Sequence, residues 1–70
     1  MSVTTEYVVS GMTCQHCVSS VTEEVSTLFG VTDVTVDLDS GQLTVVSDAE
    51  LPYETVEAAV DEAGYSLAAA

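Results

Sequence analysis

The sequence predicts an α+β domain: a four-stranded antiparallel sheet with two helices on one face. Three observations carry that expectation. Apolar residues change period along the chain, from strand-like alternation to helical spacing and back, twice over. Glycines at 30, 41 and 64 fall where the patterns break. Seventy residues suffice for one small domain, spanning 1–70, with no linker or low-complexity tract to divide it.

Residues 3–9 are β-rich, with Tyr7 and Val9 turned inward, and Ser10-Gly11 ends the run. Val18, Val21, Val25 and Leu28 then recur at helical spacing, with Ser19, Ser20, Glu23 and Glu24 on the opposite side. The many β-branched residues weaken this helix intrinsically, so packing must hold it. Gly30 is its expected stop. From 31 to 38 the pattern alternates, with Val34, Val36 and Leu38 on one face and Thr35 and Asp37 on the other. Asp39-Ser40-Gly41 signals a turn, and Leu43-Thr44-Val45-Val46 returns as the second arm of a hairpin. Asp48 to Pro52 opens a second helix, with Pro52 at its first position and acids in its first turn. Its apolar stripe is Val56, Ala59, Val60 and Ala63, and Gly64 ends it. Tyr65-Ser66-Leu67 is a final edge strand, and Ala68-Ala69-Ala70 is expected to fray. The order strand, helix, strand, strand, helix, strand is two βαβ halves joined by a hairpin, the ferredoxin-like βαββαβ arrangement.

Composition excludes several functions. With twelve acids, no lysine and no arginine, the formal net charge is −12. No side chain could neutralise phosphates, which rules against nucleic acid. An anionic membrane surface is equally disfavoured. No apolar run approaches the ~20 residues of a membrane span, so no direct membrane insertion is expected. The first residues lack the basic and apolar regions of a signal peptide, which favours a cytoplasmic location. The acidity speaks either to solubility in a saline interior or to docking on a basic partner.

The chemistry is concentrated in Gly11-Met12-Thr13-Cys14-Gln15-His16-Cys17, which holds both cysteines. In a reducing compartment such a pair binds metal or cycles redox rather than stapling the fold. Cys14 falls in the loop and Cys17 in the first helical turn, where free amides and the helix dipole favour a thiolate. Structural zinc wants four ligands. Here there are two sulfurs and one histidine, and His16 cannot easily turn onto an ion held by both its neighbours. Soft thiolates select copper(I), which is content with two or three sulfurs. Two ligands leave the ion open to a competing thiolate.

That segment resembles the Gly-Met-Thr-Cys-x-x-Cys loop of the heavy-metal-associated domain family, and the resemblance extends over nearly the whole chain to Gly64-Tyr65. It is nearest to the single-domain bacterial copper chaperones. The resemblance implies that Cys14 and Cys17 bind Cu(I), that Met12 supports the loop from below, and that Tyr65 lies close to the sulfurs. It also implies a partner: a copper-transporting P-type ATPase or a copper-responsive regulator. Members usually carry lysine or arginine near the loop, and this chain has none, so the basic side of the contact is expected on the partner.

Other readings stand beside these. Met12 is a core residue or, through its thioether, a ligand. Thr13 is a supporting residue of the loop. His16 is a solvated imidazole, or it ligates across a copper-bridged homodimer. Tyr65 is a core aromatic, a donor to the sulfurs, or both. Other soft metal ions (zinc, cadmium, mercury) can use the same loop. The domain could be a detached piece of a heavy-metal ATPase, or a small thiol–disulfide redox protein. Enzyme function is not expected: there is no phosphate loop, and the one histidine lacks an orienting third group.

Overall fold

The computed structural model describes residues 2–68. Its elements run β1 (Val3–Ser10), α1 (Gln15–Ser26), β2 (Val31–Asp37), β3 (Gln42–Ser47), α2 (Tyr53–Glu62) and β4 (Ser66–Ala68). The strands form one antiparallel sheet in the order β2-β3-β1-β4, the ferredoxin-like topology.

Alternation places Val9, Leu43 and Val45 on the helix-facing side of the sheet. Val21 and Val25 of α1 and Val56, Ala59 and Val60 of α2 close over them to complete the buried core. Each fully buried valine contributes about 1.5–3 kcal/mol. That burial is what holds α1 helical despite its β-branched content.

Four boundaries differ from the sequence expectation, each for a local reason. Helix α1 ends at Ser26, not at Gly30. The Thr27 hydroxyl donates to the Glu24 carbonyl at 2.7 Å, a side-chain bond that competes with the helix ladder. Leu28 therefore packs on the core from the turn beyond α1. Gly30, at φ +88°, turns the chain into β2. Strand β2 stops at Asp37, which leaves Leu38 half-buried in the hairpin turn. Pro52 is the N-cap of α2 rather than its first residue; its extended ψ of 140° sets the entry, and its carbonyl accepts the Thr55 N–H at 3.0 Å. Strand β4 is Ser66–Ala68 rather than 65–67, so Tyr65 lies outside it, its amide bonded back to Val60, and Ala68 pairs with Val8; the expectation of fraying at Ala69 and Ala70 lies outside the described residues.

The hairpin turn and the β1–α1 loop lie at the same end of the sheet. The Val9 N–H donates to the Gly41 carbonyl at 2.8 Å, fixing the end of β1 against that turn. A Cβ on Gly41, whose φ is +75°, would meet the Val9 carbonyl oxygen at 2.7 Å. Only glycine fits so close an approach.

Candidate metal centre

The chain leaves β1 at Gly11, where φ is +93°. This left-handed residue lets the backbone turn from the sheet edge toward the start of α1. Met12 is half-buried and packs against the core. Cys14 is the N-cap of α1, in extended conformation (φ −155°, ψ 172°), and its carbonyl accepts the Cys17 N–H at 3.0 Å. Its side chain makes no capping bond. A serine or aspartate there would cap an amide of the first turn; the cysteine makes no such bond and keeps its sulfur available.

Cys17 lies in the first helical turn, three residues on from Cys14, so both sulfurs project to the same side. Their Sγ atoms are 3.5 Å apart, well beyond the ~2.05 Å of a disulfide, and both thiols are free. They are not equivalent: Cys14 is exposed, whereas Cys17 is only 7% exposed. The Thr13 hydroxyl sits 4.0 Å from the Cys17 sulfur.

The surroundings of Cys17 favour its thiolate. Its pKa is lowered from 9.0 to about 6, chiefly by the Tyr65 hydroxyl, placed to donate toward the sulfur. The backbone amides of Thr13 and Cys14 and the Cys14 thiol add to this, while burial opposes it. The same relation pushes the Tyr65 phenol above its ordinary value, because losing its proton would set two negative atoms together. Tyr65 follows directly on Gly64, after α2, and its amide is fixed by donating to the Val60 carbonyl at 3.1 Å. The second half of the fold thus supplies the side chain that most lowers the pKa of a thiol held by the first half.

Of the residues singled out in the sequence, Cys14, Cys17, Thr13 and Tyr65 come together, while Met12 packs on the core. His16 does not join them: it is exposed, and no group of three or more His, Cys, Asp or Glu that could hold a metal ion forms among the described residues. The Thr13 hydroxyl contact and the approach of Gly11 to the Tyr65 ring were not legible from spacing. The first depends on the conformation of the loop entering α1, and the second on the pairing of β1 with β4. None of the helices is long and apolar enough to cross a membrane.

A closed four-ligand site is absent from the described residues. What remains is a pair of soft donors, one reachable from solvent and the other sheltered and biased toward its anion. Such a donor set fits a thiophilic ion.

Known proteins share this arrangement. The chain is 44% identical over 59 residues to a COP-associated protein of Helicobacter felis, covering 84% of this chain and 89% of that protein. It is 39% identical over 61 residues to the copper chaperone CopZ of Bacillus subtilis, covering 86% and 88%. A solved CopZ metallochaperone superposes with a TM-score of 0.87 at 30% identity, over 94% of this chain and all of that one. The sequence pattern of the heavy-metal-associated domain matches residues 6–66. With the fold, the loop and these matches in agreement, the chain belongs to the heavy-metal-associated domain family.

Proposed function

We propose that this domain is a cytoplasmic metallochaperone that carries copper(I) on the thiolates of Cys14 and Cys17. One observation carries the reading: two free sulfurs stand 3.5 Å apart, with no His, Asp or Glu assembled beside them as a third ligand among the described residues. At a metal–sulfur distance of about 2.3 Å, the value for a zinc thiolate, sulfurs so spaced subtend about 99° at a shared ion. A linear bis-thiolate requires the pair to spread by about 1 Å. Otherwise the ion is bent and open on its outer side, where another thiolate can enter.

Transfer then follows from the asymmetry of the pair. An incoming thiolate from the partner approaches from the side of exposed Cys14. It donates a lone pair to copper, which passes through a three-sulfur intermediate. The Cys14–copper bond breaks first and the Cys17–copper bond last. Copper stays monovalent throughout, so no oxidant is needed, and each displaced thiolate is free to take up a proton. Tyr65 and the Thr13 and Cys14 amides stabilise the Cys17 thiolate once the metal has left.

The relatives named copper chaperones support the choice of copper. The partner is a copper-transporting P-type ATPase or a copper-responsive regulator. With no lysine or arginine on this chain, that partner supplies the basic residues of the contact. Stopped-flow transfer rates that fall with ionic strength support this docking, and rates indifferent to salt exclude it. A copper-bridged homodimer brings together two copies of charge −12, so it requires screening salt to form.

Anaerobic titration with Cu(I) against a chromogenic chelator tests the assignment. One equivalent should bind, and binding should be lost in both Cys14→Ser and Cys17→Ser. The 3.5 Å separation favours one rival, a Cys14–Cys17 thiol–disulfide couple. Weak copper binding together with an oxidising reduction potential decides for that rival.

A further inference from the structure

None of the twelve acidic residues is buried, and the chain has no lysine or arginine to pair with them. Their repulsion is offset by no ion pair with either residue type, so only dissolved cations can reduce it. The molecule measures 33 × 20 × 20 Å. The Debye length is about 30 Å at 0.01 M salt, about 10 Å at 0.1 M and about 3 Å at 1 M. In dilute buffer every carboxylate therefore acts on every other across the whole domain, whereas at molar salt only immediate neighbours interact.

The repulsion is not evenly spread. Helix α2 carries Glu54, Glu57, Asp61 and Glu62 within its ten residues. Glu54 and Glu57 are spaced i,i+3, and Glu57 and Asp61 i,i+4, both repulsive spacings for like charges. Asp61 and Glu62 stand in the last turn, at the negative end of the helix dipole, with no basic residue there. Glu23 and Glu24 repeat the placement at the end of α1, again with no basic residue. The groove between the helices is lined by Glu24 from α1 and by Glu54 and Glu62 from α2.

We infer that the fold is salt-dependent, and that the C-terminal turn of α2 is its salt-sensitive element. No discrete cation site is involved; the stabilising agent is the screening atmosphere. The consequence reaches the sulfurs through the chain itself. Gly64 and Tyr65 follow that turn and are tied to it by their amides, Gly64 to the Asp61 carbonyl at 2.9 Å and Tyr65 to the Val60 carbonyl at 3.1 Å. Loosening of that turn in dilute buffer disturbs the core residue Val60 and, through it, the anchored backbone of Tyr65. The inference stands on charge and placement alone and holds for the metal-free protein.

Thermal unfolding of the reduced full chain, followed by circular dichroism from 0.01 to 1 M KCl, tests it. Tm should rise by about 10 °C or more. KCl and K2SO4 should overlay when plotted against ionic strength. Asp61→Asn/Glu62→Gln should raise Tm at low salt and flatten the slope more than Glu6→Gln/Asp33→Asn, which removes the same charge from strands. A Tm indifferent to KCl, or a rise seen with sulfate and not chloride at equal ionic strength, overturns the salt dependence. Equal behaviour of the two double variants overturns its localisation to α2.

Discussion

The ring of Tyr65 closes over the α-carbon of Gly11: a Cβ built at Gly11 would meet the ring's Cδ1 at 3.5 Å. The residue that follows β1 and the residue that follows α2 thus lie side by side across the fold. The bare side of Gly11 leaves room for the ring there, and the Tyr65 hydroxyl is the chief cause of the lowered Cys17 pKa.

Tyr65→Phe keeps the ring and removes the hydroxyl. The Cys17 thiol should then titrate above the wild-type value of about 6. Iodoacetamide alkylation rates against pH, resolved by cysteine with mass spectrometry, measure it. An unchanged Cys17 midpoint would show that the amides of Thr13 and Cys14 suffice.

Folding stability of the metal-free, reduced protein should depend on pH through Cys17. Its folded pKa is lowered from 9.0 to about 6. An acid so shifted stabilises the fold fully above the unfolded pKa, and the contribution is lost as pH falls through the folded one. Between pH 6 and 9, wild type should therefore gain stability with pH relative to Cys17→Ser. Urea midpoints for the two proteins, compared at each pH, test this; parallel curves would exclude the linkage.

Gly41→Ala places a Cβ 2.7 Å from the Val9 carbonyl oxygen at a φ of +75°. The hairpin turn must shift or the end of β1 must move. A loss of about 1–3 kcal/mol is expected, comparable to other strained backbone positions. Denaturant unfolding gives the number. Gly30→Ala, which meets nothing within 4 Å but has φ +88°, serves as the control for backbone strain alone.

Ser47 is the one polar residue in the buried set, 2% exposed, and its hydroxyl donates to the Ala49 carbonyl at 2.7 Å. Ser47→Ala removes that donor and should cost about 1 kcal/mol. Val60→Ala empties a fully buried position between α2 and the sheet and should cost about 2–3 kcal/mol. In a domain this small, roughly 5 kcal/mol of total stability makes the second change severe. Chemical denaturation of both variants checks the ranking.

The alternating and helical periods of the sequence were enough to place every element, because each buries one apolar face and the spacing of that face reveals the period. They did not locate the end of α1: Leu28 continues the helical spacing although it packs from a turn, so periodicity extends the helix past its true stop. The Cys14–Cys17 pair was equally legible, since residues three apart at the start of a helix must share a face.

The sequence by itself determined the fold class, the pairing of the two thiols on one face and the uncompensated charge, because these follow from residue type and local spacing. Only the tertiary structure decided which sulfur is sheltered and which exposed, and what lies beside the sheltered one. Those properties depend on Tyr65 and Gly11, 54 positions apart, being brought together by the pairing of β1 with β4. Residue order encodes that contact only through the packing of the whole domain.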